Sequence, residues 1–129
     1  MYNPYSLFGK TILVTGASSG IGQATAIECS RMGATLVLTG RNEERLLETY
    51  NSLETEGQVH QIFTADLSSA DGISALVTKL PQLDGCVNNA GIGKTLPIPF
   101  ISWDELERIY CLNSFAPMLL TKELVRKKK

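Results

Sequence analysis

The chain has 129 residues, 43% of them hydrophobic, and a formal net charge of −1. That is enough chain for one domain with a real core, ordinary for a soluble globular protein, and it carries no overall bias toward nucleic acid or an anionic membrane. Three widely spaced cysteines and one histidine, His60, argue against a disulfide framework, a zinc site or a Cys-x-x-Cys redox pair. The start pairs no basic stretch with an apolar one and no later apolar run approaches membrane-spanning length, so the expected location is cytoplasmic.

Residues 11–15 form a short apolar run bounded by Gly9-Lys10 and Gly16, which suits a strand buried on both faces of a parallel sheet. The following stretch, Thr15-Gly16-Ala17-Ser18-Ser19-Gly20-Ile21-Gly22, reads as a tight turn opening a helix. The helix is expected to carry Ile21, Ala24 and Ile27 on its apolar face and a left-handed cap at Gly33. Glycine at 16 lets the chain leave the strand sharply. Glycines at 20 and 22 keep side chains out of the way of a ligand, and the helix start offers unpaired N–H groups to an anion such as a pyrophosphate. The spacing is Gly-x-x-x-Gly-x-Gly and not the more widespread Gly-x-Gly-x-x-Gly, and a turn without a ligand stays open as the alternative.

Residues 34–39 predict a second strand ending at Gly40-Arg41, then a helix with Asn42 as N-cap, acids at 43 and 44, and Leu46, Leu47, Tyr50 and Leu53 on one face. A third strand is expected over about 58–64, ending at Ala65-Asp66. Ser68 and Asp71 suggest a capping box for a helix facing inward with Ile73, Leu76, Val77 and Leu80. Strand four, 83–87, delivers Asn88-Asn89-Ala90-Gly91. Ser102 with Glu105 opens a final long helix, interrupted near 113–117. Gly93-Lys94-Thr95 mimics the end of a P-loop, but position 88 is asparagine where that motif needs glycine. His60 reads as a packed or half-exposed histidine, with no acid or cysteine placed to make it a catalyst.

The alternation predicts an α/β fold: a Rossmann-type doubly wound parallel sheet of strand order 3-2-1-4, in a single domain over residues 1–129 that is incomplete at its C-terminal end. Strands one and four would flank the switch point, where residues 16–22 and 88–91 meet.

With its preceding threonine, the glycine turn resembles the cofactor-binding turn of the short-chain dehydrogenase/reductase family, and Asn88-Asn89-Ala90-Gly91 resembles that family's second signature. The resemblance implies hydride transfer between a nicotinamide cofactor and a small carbonyl or alcohol substrate, with neither nucleic acid nor membrane as partner. It assigns cofactor contacts to Thr15, Gly16, Ser18, Ser19, Gly20, Ile21, Gly22, Arg41, Asp66, Leu67, Asn89, Ala90 and Gly91. Asp66 would accept from the adenine amine, and Asn113 matches the asparagine of the catalytic tetrad. Gly40 stands where members preferring NAD carry aspartate, and Arg41 where members preferring NADP carry arginine, so the implied cofactor is NADP.

The family's Tyr-x-x-x-Lys is absent: the residues four places after the tyrosines are Ser6, Gly9, Glu54 and Ser114. The resemblance therefore covers the cofactor-binding half of the family's domain, truncated before the second half. The chain alone is expected not to turn over substrate and to self-associate through an uncovered strand edge and helix face. A non-catalytic nucleotide-binding or interaction module, and a nonfunctional remnant, remain alternatives.

Overall fold

A computed structural model describes residues 2–129. They fall into two compact units, one comprising residues up to Thr64 with Pro81–Asn89, the other Ala65–Leu80 with Ala90–Lys129.

The first unit is built on four parallel strands, β1 (Thr11–Thr15), β2 (Thr35–Gly40), β3 (Gln61–Thr64) and β4 (Gly85–Val87), in the order β3-β2-β1-β4. Leu13 of β1 lies opposite both Val37 of β2 and Cys86 of β4. Val14, Leu36 and Leu38 join Ala17, Ala26, Ala34, Leu46 and Leu53 in one apolar cluster. Leu13 and Val37, at the alternate positions, are fully buried too. Dryness on both sides is why these strands read as continuous apolar runs instead of alternating ones.

Helix α1 (Gly20–Arg31) buries a different stripe from the one expected. Gly22, Ala26 and Ser30 face inward, while Ile21 is 78% exposed, Ala24 is exposed and Ile27 is only partly buried. Small residues four apart let the helix lie close to the sheet, and bulkier aliphatics there would hold it off. The helix ends as predicted at Gly33, with φ 102°. Helix α2 (Glu43–Asn51) starts where Asn42 Oδ1 accepts from the Arg45 N–H at 3.1 Å. Leu46 is buried on its inner face, but Leu47 is exposed.

Strand β3 is shorter than its apolar pattern, because Gln58 and His60 are used otherwise. The Gln58 amide donates to the Ser30 and Ala34 carbonyls. His60, 4% exposed, accepts from the Leu36 N–H through Nδ1 (2.9 Å) and donates through Nε2 to the Glu54 carbonyl (2.6 Å). It is a packing and hydrogen-bonding residue. Strand β4 likewise begins at Gly85, after the Asp84 N–H has paired with the Thr11 carbonyl.

In the second unit α3 (Ala70–Lys79) packs on α5 (Ala116–Arg126), with Ile73, Leu76, Val77, Leu80 and Leu120 almost fully buried. The cap of α3 is Ser69, not Ser68: Asp66 Oδ1 already takes both the N–H and the hydroxyl of Ser68. Helix α4 (Trp103–Tyr110) is capped by Ser102 as expected, and a π turn, Cys111–Phe115, separates it from α5. Within the basic stretch Arg126-Lys127-Lys128-Lys129, Lys129 Nζ donates to the Leu80 carbonyl at 2.7 Å and Arg126 pairs with Glu123. Among the described residues no helix is long and apolar enough to cross a membrane, and no cluster of His, Cys, Asp and Glu could hold a metal.

Candidate functional site

The glycine turn sits at the carboxyl end of β1, and its backbone is fixed from several sides. Gly16 and Gly20 have φ 62° and 57°, the left-handed region that glycine enters without strain. The Thr15 hydroxyl, 1% exposed, donates to the Val87 carbonyl (3.3 Å) and accepts from the Asn89 N–H (2.9 Å). The Asn89 side-chain amide in turn donates to the Gly16 carbonyl at 3.2 Å. Thus side-chain hydrogen bonds add to the β1–β4 ladder in joining the two strand ends, and the turn meets Asn89 as the strand order predicts.

Gly22 closes the same knot. A Cβ added there would collide with the Gly16 carbonyl and the Asn89 amide, so only glycine lets α1 descend onto the turn. Gly20 is the opposite case, with nothing within 4 Å of an added Cβ. Ser19 occupies the N-cap in extended conformation, but its side chain makes no capping bond. The start of α1 thus presents an open stretch of backbone whose first N–H groups are not bridged by the capping side chain, bordered by the exposed Ile21. Such a start suits an anion.

One strand over, β2 ends at Gly40. An added Cβ there would lie 3.6 Å from Ser18 Oγ and 3.4 Å from the Leu46 side chain, so the strand end abuts the turn. Arg41 follows, exposed and at the start of the loop into α2.

The second unit holds the remaining candidates. Asp66 is exposed, with Oδ1 engaged by Ser68, and Leu67 is 6% exposed. Ala90 is half-buried and Gly91 exposed. Asn113 lies within the π turn, and its amide bridges the backbone of Ile92: Oδ1 accepts from the Ile92 N–H at 2.8 Å and Nδ2 donates to its carbonyl at 2.6 Å. Glu105 accepts from Lys94 (3.3 Å) and Arg108 (3.2 Å), and these bonds, Arg108's first, hold its carboxyl below the usual glutamate range. Burial pushes the Cys86 thiol up to about 11 and raises that of Cys29, which Glu28 reinforces.

Residues 10–129 match the short chain dehydrogenase family. The chain belongs to that family. It is 37% identical over 123 residues to glucose 1-dehydrogenase of Gluconobacter oxydans strain 621H, covering 92% of this chain and 46% of that protein. L-Sorbose reductase of Gluconobacter frateurii, solved with NADPH and L-sorbose, superposes with a TM-score of 0.86 at 30% identity, covering 96% of this chain and 49% of that one. A metagenomic short-chain oxidoreductase solved with NADP gives 0.83 at 32% identity, covering 95% and 59%. The chain spans about half the length of the curated relatives it matches. That family is one of oxidoreductases that use nicotinamide cofactors.

Two residues that bear on the turn lie outside every sequence motif. Thr49 of α2 and Gln23 of α1 form a hydrogen-bonded pair against Ala17. A threonine within a helix gives no signal of its own. Only the burial of a polar residue among Leu46, Tyr50 and Leu53 hints at it.

Proposed function

We propose that the chain is the cofactor-binding half of an NADP(H)-dependent oxidoreductase, a single dinucleotide-binding domain acting in the cytoplasm on a small carbonyl or alcohol substrate. The observation that carries the reading is the start of α1: bare at Gly20, without a side-chain cap at Ser19, and held in place by the contact of Gly22 with Gly16 and Asn89. That cradle suits a pyrophosphate resting on the turn from Thr15 to Gly22. Arg41, directly after a strand end with no acidic side chain, suits the additional phosphate of NADP, which a guanidinium grips in a fork. Family resemblance adds Asp66 and Leu67 for the adenine side, Asn89, Ala90 and Gly91 for the ribose, and Asn113 as the tetrad asparagine. The cofactor, when bound, would supply hydride chemistry, and the chain's own residues bind and orient it.

Without Tyr-x-x-x-Lys the 129 residues hold no general acid/base of the family's kind, and the chain on its own does not turn over. β4 ends the sheet order, and a groove of about 400 Å³ lined by Trp103, Leu106, Tyr110 and Phe115 is open, which favours self-association.

The test is titration of the purified chain with NADPH and NADH, followed by nicotinamide fluorescence, for wild type and Arg41→Ala. Wild type is expected to prefer NADPH, and the variant to bind it about 10- to 100-fold more weakly, the worth of ~1.5–3 kcal/mol for charge-assisted bonds, with NADH changed less than about twofold. Binding of neither cofactor overturns the reading. Equal loss for both overturns the role of Arg41.

A further inference from the structure

The peptide groups of Ala17 lie at the centre of the turn, and both are anchored to neighbouring elements. Its N–H donates to the Thr39 carbonyl at the end of β2 (3.2 Å), and its carbonyl accepts from Thr49 Oγ1 (2.8 Å), a fully buried hydroxyl on α2. Thr49 has a single hydroxyl proton and two carbonyls in reach, Ala17 at 2.8 Å and Arg45, one turn back on its own helix, at 3.4 Å. Donation to Arg45 is the ordinary habit of a threonine inside a helix. Here the shorter reach gives the proton to Ala17, and the Gln23 amide, donating to the same oxygen at 3.0 Å, fills a lone pair and holds the hydroxyl in that orientation. The chain Gln23 to Thr49 to Ala17 therefore runs from the first turn of α1, through α2, back to the peptide preceding Ser18.

We infer that Thr49, steered by Gln23, is a positioning residue for the pyrophosphate cradle: it fixes the plane of the peptide between Ala17 and Ser18, and so aims the Ser18 N–H and the backbone entering α1. This rests on the proposed dinucleotide reading and deepens it. Neither residue needs to touch the cofactor. With the Ala17 carbonyl free to rotate, the fold keeps its apolar cluster, but the N–H groups that face a diphosphate lose their common direction. Arg41 follows the end of β2 and takes no part in the Gln23–Thr49–Ala17 hydrogen bonds.

The experiment compares NADPH with adenosine 2′-monophosphate, which carries the adenine, ribose and 2′-phosphate but no pyrophosphate. Both are titrated against wild type, Thr49→Val, Thr49→Ser and Gln23→Met, with far-UV circular dichroism to confirm folding. Thr49→Val removes the hydroxyl at constant shape, and its NADPH Kd is expected to rise about tenfold while that of adenosine 2′-monophosphate stays within about twofold. Thr49→Ser is expected to restore NADPH affinity, and Gln23→Met, in which the hydroxyl can turn back to Arg45, to weaken it about threefold. If Thr49→Val fails to fold, Gln23→Met against wild type carries the same comparison. NADPH binding unchanged in the variants, or both ligands lost in parallel, overturns the inference. A wild-type chain that binds neither ligand overturns the proposed function itself.

Discussion

Replacing Gly22 with alanine adds one methyl group where the structure has no room for it. The added Cβ would overlap the Gly16 carbonyl and the Asn89 side-chain amide, both backed by strands β1 and β4. Gly22 does not adopt a positive φ, so no backbone penalty enters, and the effect is steric. Relief requires α1 to lift or Asn89 to let go. Overpacking of this kind costs about 1–3 kcal/mol, and loss of the Asn89–Gly16 hydrogen bond adds ~0.5–1.5 kcal/mol. The expected loss is therefore about 1.5–4.5 kcal/mol, a large share of the ~5–15 kcal/mol that holds a typical domain together. Two controls separate sterics from composition. Gly93→Ala meets nothing within 4 Å and is expected to change stability by less than ~0.5 kcal/mol. Gly20→Ala also meets nothing, but at φ 57° it carries the ~1 kcal/mol of a left-handed alanine. Urea unfolding followed by circular dichroism measures all three. A Gly22→Ala variant as stable as Gly93→Ala would refute the packing argument.

Asn113→Ala removes both bonds to Ile92 and is expected to lower stability by ~1–2 kcal/mol and to speed exchange of the Ile92 amide at least tenfold, read by hydrogen exchange; unchanged protection would refute the bridge. Arg108 and Lys94 depress the folded carboxyl of Glu105, so its pairing stabilises fully above the ordinary glutamate pKa of ~4.3 and fades as pH falls through the lower folded value. The melting difference between wild type and Glu105→Gln should accordingly be flat from pH 8 to 5 and shrink below about pH 4, and a difference that grows on acidification would contradict it. Cys86, with its thiol near 11, is expected in a Cys29→Ser/Cys111→Ser background to react with a disulfide reagent at pH 8 about two orders of magnitude more slowly than a free thiol. Labelling at the free-thiol rate would show the site to be open.

What could be read from the residues alone was whatever is decided locally. The glycine turn, the Gly33 cap and the Asn42 and Ser102 caps each depend on one side chain and the next few backbone groups, and each forms as its sequence says. The strand order followed from alternation and handedness. Competition between neighbours was less legible. Ser68 has the right spacing to cap α3, but Asp66 captures it two residues earlier and passes the task to Ser69. Apolar spacing also pointed to the wrong side of α1, because the face that meets the sheet most closely is lined by glycine, alanine and serine, which a search for bulky aliphatics passes over. At the site, the residues that would face a ligand carry motif signals. Gln23 and Thr49, which brace them, interact across 26 positions of chain and carry none.

The π turn at Cys111–Phe115 sets the phase of all that follows it. One surplus residue in the winding rotates the next helix by roughly 100° relative to an uninterrupted continuation of α4. As built, Leu112, Ala116 and Leu120 line up four apart and are buried, with Thr121 on the outside. Excising Ser114 would remove the surplus residue and leave Leu120 buried, whereas closing the turn to regular pitch at full length would carry Leu120 out to water and bring Leu119 into its place, so this short irregularity acts as the indexing device of the second unit.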